Sequence, residues 1–332
     1  MELSIIIVNY NTALLLEKCI FSILNFSSGL KFEIIVVDND SQDDSKRIIT
    51  EKFPQVVWLE SGYNAGFSRA NNIGIRNAKG DYVLLLNPDT EVKEDFLISL
   101  LAFYKQRDSK GDLGLLGCRI ISLVDGSLLV GTGIGFPSIK KALKANPLII
   151  RLQRVVKSVK TKKYNPKIMH YQNHEVDFVS GSCVMISKRK ILEANLFLDE
   201  DFFLYSEDVE WSYRVKNSGF VNYFCGELEV YHINSASTDK LTSGKSFQIL
   251  LSRFLFILKS YGVVYYLLYL FIVKANWWVS QIIDFKNKIF GRSNESIDLT
   301  IHRQNSIIEK HGFKIIRDYY FKPTSSQYLR YV

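Results

Sequence analysis

The residues able to do chemistry in this chain stand where short apolar runs stop. After 33–37 come Asp38, Asn39, Asp40, Ser41, Gln42, Asp43 and Asp44. Such a cluster can bind a cation or accept hydrogen bonds from a nucleobase and a ribose. Helix capping by Ser41, with Asp43 and Asp44 complementing the helix dipole, explains the later residues but leaves Asp38 over. The run 83–86 delivers Asn87, Pro88, Asp89 and Thr90, so Asp89 could carry a divalent metal that bridges phosphate oxygens. Asn64, Ala65 and Gly66 make a turn before a helix bearing Phe67, Arg69, Asn71 and Asn72, and a helix N-terminus beside an arginine suits a diphosphate. Farther on, Gly181 and Ser182 adjoin a strand, and Glu207 and Asp208 open a helix. The acidic pair either favours the helix dipole or supplies a general base for an acceptor hydroxyl.

The elements that must position these groups follow from periodicity. Apolar, β-branched runs at 3–8, 33–37, 56–59, 82–86 and 113–118 alternate with amphipathic stretches at 13–24, 43–53, 67–77 and 96–104. That alternation predicts right-handed βαβ units and a Rossmann-like, mostly parallel sheet, an α/β fold whose ligands bind beyond the carboxyl ends of the strands. The first strand ends in Asn9, Tyr10, Asn11 and Thr12, with Thr12 placed to cap the next helix. Asp125 and Gly126 predict a hairpin turn, 176–186 a returning strand, 207–217 a helix ended by Gly219, and 221–231 a pair of short strands.

With 332 residues the chain exceeds the size at which single cores usually stop growing, so a large domain with an appendage is expected. An apolar fraction of 47% and a net charge of +8 exclude a disordered chain. The four cysteines lie far apart with no zinc-like spacing, which fits a reduced, cytosol-facing protein, and the N-terminus lacks the basic region of a signal peptide. The charge is local. Residues 138–167 hold ten Lys and Arg and no acid, leaving 32 basic against 34 acidic residues elsewhere. Leu148, Ile149, Leu152, Val155, Val156 and Val159 recur there at helical spacing, a cationic amphipathic helix suited to an anionic membrane surface or else a solvated face. No nucleic-acid-binding signature accompanies it.

After about residue 245 the composition turns aromatic and apolar. The longest uncharged stretch, 262–273, is shorter than the roughly 20 residues of a spanning helix. An in-plane helical hairpin with Trp277 and Trp278 at headgroup level is the expectation, beside a tilted span or a helical extension capping the sheet. The domain reading is therefore 1–245, with a nucleotide-binding half at 1–120, an acceptor half at 121–245 and the basic insertion at 138–167, followed by a helical membrane-associating region at 246–332.

Five segments in order, 4–11 (SIIIVNYN), 36–41 (VVDNDS), 64–67 with 70–74 (NAGF, ANNIG), 84–90 (LLLNPDT) and 203–208 (FLYSED), resemble the motifs of glycosyltransferase family 2. They look most like its bacterial rhamnosyltransferase-type branch, over roughly residues 3–235. The resemblance implies a GT-A fold and inverting transfer from a nucleotide-diphospho sugar, with Mg²⁺ or Mn²⁺ as cofactor. The branch favours dTDP-rhamnose as donor and a lipid-linked or polysaccharide acceptor in cell-surface polysaccharide synthesis (O-antigen, capsule or cell wall), at the cytoplasmic face of the cell membrane. By position, Asn9, Tyr10 and Asn11 would line the nucleotide pocket and Asp38 would bind the base. Asn39, Asn64, Gly66, Phe67, Arg69, Asn71 and Asn87 would belong to the donor site, and Gly181, Ser182 and Trp211 to the acceptor site. Asp89 matches the last carboxylate of the family's metal motif, Asp208 the catalytic base with Glu207 beside it, and His232 a histidine that would assist the metal or diphosphate. One departure is that Asn87 replaces the first Asp of the metal motif, so metal binding would lean on the diphosphate.

Two rivals share the fold class. A sugar-1-phosphate nucleotidyltransferase would need an N-terminal Gly-rich loop with basic residues, which 4–12 lacks, and a non-catalytic sugar-nucleotide or polysaccharide-binding protein would have no use for Asp38, Asp89 and Asp208 together. A dehydrogenase reading of Gly131, Gly133 and Gly135 fails on spacing and on Pro137.

Overall fold

The computed structural model describes residues 1–129, 132–150, 171–233, 242–289 and 299–321. The first strands and helices alternate as their periodicity requires: β1 (Leu3–Asn9), α1 (Ala13–Asn25), β2 (Phe32–Asp38), α2 (Ser45–Lys52), β3 (Val57–Glu60), α3 (Gly66–Asn77) and β4 (Tyr82–Leu86). There follow β5 (Thr90–Glu91), α4 (Phe96–Arg107), β6 (Leu113–Ser122), β7 (Leu128–Leu129), α5 (Ile139–Lys144), β8 (His174–Val176), β9 (Cys183–Ser187), α6 (Lys188–Glu193), α7 (Glu207–Asn217) and β10 (Val221–His232). The helical stretches α8 (Thr242–Ile289) and α9 (Leu299–Phe321) complete the described chain.

The strands form one sheet in the order β3-β2-β1-β4-β9-β6-β10-β5, with β7 on β6 and β8 on β10. It is parallel from β3 to β4 and again between β6 and β10, but β9 runs antiparallel to both β4 and β6. The expected mostly parallel sheet is thus a mixed one. Strict alternation of strand and helix, which yields parallel pairing through helical crossovers, holds over the first 86 residues, and beyond them β9 enters between β4 and β6 in the opposite direction. The returning strand expected at 176–186 is two strands, β8 and β9, separated by a turn that carries Gly181 and Ser182. The pair expected at 221–231 is the single strand β10, whose register against β6 shifts between Cys225 and Glu229.

Side-chain alternation along the strands builds two cores. Ile5, Ile7, Val36, Leu84 and Leu86 pack with Leu16, Ile20 and Ile49 and with Leu97, Leu100 and Tyr104 on one face. Ile6, Val37, Val83 and Leu85 pack with Ala70 and Ile75 and with Ile191, Trp211 and Val215 on the other. Each such aliphatic side chain contributes about 1.5–3 kcal/mol on full burial, so strands apolar on both faces are held in the middle of a sandwich. The polar groups are left for the strand ends. All four cysteines are buried and free, and burial pushes the Cys19 thiol up to about 12, so it stays a protonated packing group.

The chain divides into two compact units, residues 1–136 with 165–242 and residues 137–164 with 243–332. The basic insertion therefore groups with the C-terminal region rather than with the sheet that it interrupts in sequence. Polar ties account for this: Asn276 donates from Nδ2 to the Ala142 carbonyl at 2.8 Å and accepts from Asn146, and the Ile139 amide donates to the Tyr265 hydroxyl at 2.9 Å. Of the expected amphipathic helix, Leu152, Val155, Val156 and Val159 lie outside the described residues. In the second unit α8 is broken at Gly262, where φ of 83° and ψ of 171° suit glycine alone. Phe254, before the break, meets Tyr266 and Tyr269 after it edge to face. The Tyr266 hydroxyl donates to the Gly312 carbonyl of α9 at 3.0 Å. The stretch Phe247–Ile283 is long and apolar enough to cross a membrane by length and composition.

Candidate active site

Parallel pairing puts the ends of β1 and β2 side by side, Asn9 opposite Asp38. Asn9 is wholly buried there; its Nδ2 donates to Asp38 Oδ1 at 2.8 Å and to Ser41 Oγ at 3.0 Å, and its Oδ1 accepts from Thr12 Oγ1 at 2.7 Å. Thr12 and Ser41 are thereby used on Asn9 rather than as helix caps. Asp43 takes the capping work, accepting from the Ser45 amide and hydroxyl and from the Ala13 amide. Burial alone would raise the Asp43 carboxyl, but those hydrogen bonds win and hold it below its ordinary value. Asn11 and Asp40 both adopt left-handed backbone, with φ of 54° and 69°, which bends the two strand ends into facing loops. Tyr10 is left exposed on the first.

The next layer is the 64–66 turn. Asn39 spends both ends of its amide on it, donating to Asn64 Oδ1 at 3.0 Å and accepting from the Ala65 amide at 2.7 Å. Asn9 and Asn39, expected in the donor site, tie the end of β1 to that of β2 and the end of β2 to the 64–66 turn. Gly66 is held at φ of 79°, and a Cβ there would lie 2.5 Å from the Phe203 carbonyl oxygen. That carbonyl accepts from the Phe67 amide at 2.7 Å, so the donor-side turn and the loop leading to Glu207 and Asp208 are bonded backbone to backbone. Gly66→Ala is expected to destabilise the protein by roughly 1–3 kcal/mol, from left-handed strain plus displacement of Phe203. A melting curve and a transfer assay on the same sample check this; an unchanged melting temperature would show that the contact is soft.

Arg69, expected at a diphosphate, is engaged by Glu200 and Tyr63. Its Nε donates to the Glu200 carbonyl at 3.2 Å, its Nη1 to the Tyr63 hydroxyl at 3.3 Å, and its guanidinium faces the Glu200 carboxylate at 3.8 Å. Arg76 and Asn72 also bind Glu200, each at 3.0 Å, and Asn72 further pairs with the Leu198 backbone. Buried Asn71 returns its amide to the Phe67 carbonyl four residues back. These side chains of α3 clamp the segment 198–200. Glu200 was not singled out from the sequence, although its place two residues after an apolar run is the signal that could have found it.

At the centre, β5 pairs with the end of β10, His232 opposite Thr90. This brings His232 Nε2 to 3.2 Å from Asp89 Oδ1 and 3.4 Å from Asn87 Nδ2. Asp89 and His232 are both buried, and His232 Nδ1 has no partner. Asn87 Nδ2 also lies 3.2 Å from Ser182 Oγ, and the Asn87 amide donates to the Ser182 carbonyl at 3.0 Å. One residue on, the Gly181 amide donates to Asp208 Oδ2 at 3.3 Å. The turn 180–182 thus stands between Asp89 with His232 on one side and Asp208 on the other. A Cβ on Gly181 would touch the Phe67 ring at 3.3 Å, so a small residue is what lets the ring lie against this turn.

Asp208 enters α7 behind two consecutive left-handed residues, Tyr205 at φ of 67° and Ser206 at 62°. Backbone of this kind costs about 1–3 kcal/mol per residue and persists where the surroundings hold it, here through the Phe203 carbonyl and the Glu200 clamp. Burial raises the Asp208 carboxyl above its ordinary value, opposed by hydrogen bonds from the Gly181 and Val209 amides. Glu207 is raised further, by burial and then by the neighbouring Asp208 charge, and its Oε2 is buried without a partner. Both carboxyls of the pair are thus held above the ordinary carboxylate range. Trp211, expected near the acceptor, is instead a core residue, almost wholly buried with its Nε1 donating to the Leu196 carbonyl at 2.6 Å. It shares a face of α7 with Glu207 and Val215, four residues to either side, and that face packs into the second core.

Among the described residues no three His, Cys, Asp or Glu side chains gather into a metal cage. Asp89 Oδ1 and His232 Nε2 nevertheless stand side by side as an oxygen and a nitrogen donor, a pair whose chemistry would suit a divalent ion.

This architecture and these motifs agree with known proteins. The structure is similar to the S. aureus TarS fragment 1–349 in complex with UDP, with a TM-score of 0.51, 14% identity and coverage of 89% of this chain and 74% of that one. In sequence the chain is similar to the low-salt glycan biosynthesis hexosyltransferase Agl10 of Haloferax volcanii, 28% identical over 76% of this chain and 75% of the relative. It is also similar to the N-acetylglucosaminyl-diphospho-decaprenol L-rhamnosyltransferase of Mycobacterium tuberculosis, 25% identical over 72% of this chain and 78% of the relative. The family model for glycosyl transferase family 2 matches residues 4–193, more than half of the chain. The protein is a glycosyltransferase of GT-A fold, and it belongs to glycosyl transferase family 2.

Proposed function

We propose that the protein is an inverting hexosyltransferase that moves a sugar, rhamnose from dTDP-rhamnose, onto a hydroxyl of a lipid-linked or polysaccharide acceptor at the cytoplasmic face of the cell membrane. The observation that carries this reading is the continuous chain of contacts from Asp89 and His232 through Asn87, Ser182 and Gly181 to Asp208. It supports an ion-binding role for Asp89 and His232 and a general-base role for Asp208 across one turn. Asp208 takes the proton of the acceptor hydroxyl, the oxygen forms its bond to the anomeric carbon, and the bond to the nucleoside diphosphate breaks, inverting that centre in a single displacement. Asp38 accepts hydrogen bonds from the base, and exposed Tyr10 offers it a ring face. Asp89 and His232 would hold Mg²⁺ or Mn²⁺, which neutralises charge on the departing diphosphate. Rhamnose and a lipid-linked acceptor are supported by the likeness to the mycobacterial relative, whose name carries both.

Melting shifts with dTDP, UDP and GDP, each with and without Mn²⁺, test the donor. A nucleotide at 100 times its dissociation constant raises stability by about 2.7 kcal/mol, a clear displacement of the melting curve. A metal-dependent shift with dTDP alone supports the rhamnosyl donor, a larger one with UDP replaces it, and no shift with any nucleotide overturns the proposal.

A further inference from the structure

The second unit presents a helix with two unlike faces. After the break at Gly262, Tyr266, Tyr269, Leu270, Val273, Asn276 and Ser280 are buried. On the opposite side Val264 is 79% exposed, Phe271 70%, Ile282 66% and Phe285 68%, with Leu268 and Trp278 about half exposed between them. The steps between these residues are four, three, seven, four and three, so they form one stripe along roughly 32 Å of helix. Large apolar side chains in a continuous exposed row mark a surface that something covers.

Charge says what covers it. Lys274 and Lys286 are exposed and border the stripe, and between 247 and 286 the sequence holds Arg253, Lys259, Lys274 and Lys286 against one acid, Asp284. The start of the basic segment is tied to this helix at Asn276 and Tyr265, and it exposes Lys140 and Lys144 beside Leu143. A second copy packed on the stripe would set these lysines against their own kind, whereas an anionic lipid surface complements both the apolar row and its basic border.

We infer that the stripe Val264, Leu268, Phe271, Trp278, Ile282 and Phe285 is the face by which this protein lies in the plane of an anionic bilayer. The helix does not cross it. The opposite face is clad in protein and anchored by Asn276, so only one side is free to meet acyl chains. Trp278 sits in the row at a depth where an indole meets both headgroup and chain. The inference rests on the membrane placement proposed above but not on the sugar, the acceptor or the transfer chemistry.

The test is flotation of the purified full chain with vesicles of phosphatidylcholine alone or with about one third phosphatidylglycerol, comparing wild type with Phe271→Glu/Ile282→Glu. Both side chains are exposed in the protein, so the melting temperature should hold, and the UDP or dTDP melting shift is read on the same samples. Wild type is expected to float with the anionic vesicles. The double variant should partition on the order of 100-fold less, about tenfold for each apolar side chain that no longer enters the lipid. Indole fluorescence quenched by lipids brominated near the headgroup, and not by those brominated at the chain ends, supports the in-plane placement; the converse pattern overturns it in favour of a span. Equal flotation of variant and wild type, or equal binding to neutral vesicles, also overturns it. So does a wild-type dimer that dissociates in the variant without vesicle binding, which assigns the stripe to a second copy. A lost nucleotide shift with vesicle binding intact would count against the transferase reading alone.

Discussion

Asp208→Asn is expected to lower sugar transfer by about 10²–10⁴-fold while leaving nucleotide affinity within about twofold. The substitution keeps the shape of the side chain and one oxygen to accept from the Gly181 or the Val209 amide, and it removes the ability to accept the acceptor's proton at the cost of the other amide bond. Single-turnover transfer and nucleotide titration separate the two effects. An equal loss in both would mean that Asp208 holds the donor instead. The same carboxyl sets the pH dependence. Its value is raised by burial, so the acid limb of kcat/KM should fall above the ordinary carboxylate range, where the base is still partly protonated. Glu207→Gln keeps the shape of the side chain without its charge and is expected to leave that limb in place. Stability runs with the opposite sense. A carboxyl raised in the folded state binds more protons there than in the unfolded chain, so Glu207 subtracts stability as pH rises from the ordinary carboxylate range through its raised folded value. Glu207→Gln should flatten the fall in melting temperature over that window, and a fall as steep as in wild type would place its cause elsewhere.

The second large effect is expected at Asp89. Asp89→Ala should abolish the Mn²⁺ dependence of nucleotide binding and lower transfer by about 10²–10³-fold, because a bound divalent ion supplies several kcal/mol of stabilisation to a leaving diphosphate. His232→Ala should lose less, about 10–100-fold in metal affinity, since the carboxylate remains. Titration of UDP or dTDP with and without Mn²⁺ reads both variants independently of turnover. Metal-independent binding in wild type, unchanged in Asp89→Ala, would show that the Asn at position 87 accompanies a site that no longer uses an ion. Buried contact between Asp89 and His232 would then be a structural hydrogen bond at the junction of β5 and β10.

Local pattern carried much of the architecture. Apolar runs on both faces of β1, β2 and β4, with amphipathic helices between them, leave a covered parallel sheet as the way to bury both sets, and polar residues then collect at the strand ends. The positions of Asp38, Asp89 and Asp208 at those ends were legible for the same reason, and so was α7, whose bounds follow from Glu207 and Gly219. Side-chain roles that depend on a partner far along the chain were not. Asn9 and Asn39 look like ligands in one dimension, but folding also brings each beside an acceptor and a donor that engage both ends of its amide. Arg69 meets Glu200 more than 130 positions away, and Trp211 is turned inward by the helix on which it rides. His232 becomes a companion of Asp89 only because β10 reaches β5 at the far edge of the sheet. The basic segment joins the C-terminal helices through two asparagines that no periodicity marks. Composition and spacing determine which surfaces must be buried, because hydrophobic burial is additive and local in pattern. Which polar group meets which is decided by the paths of strands between distant residues, since hydrogen bonds act only at contact.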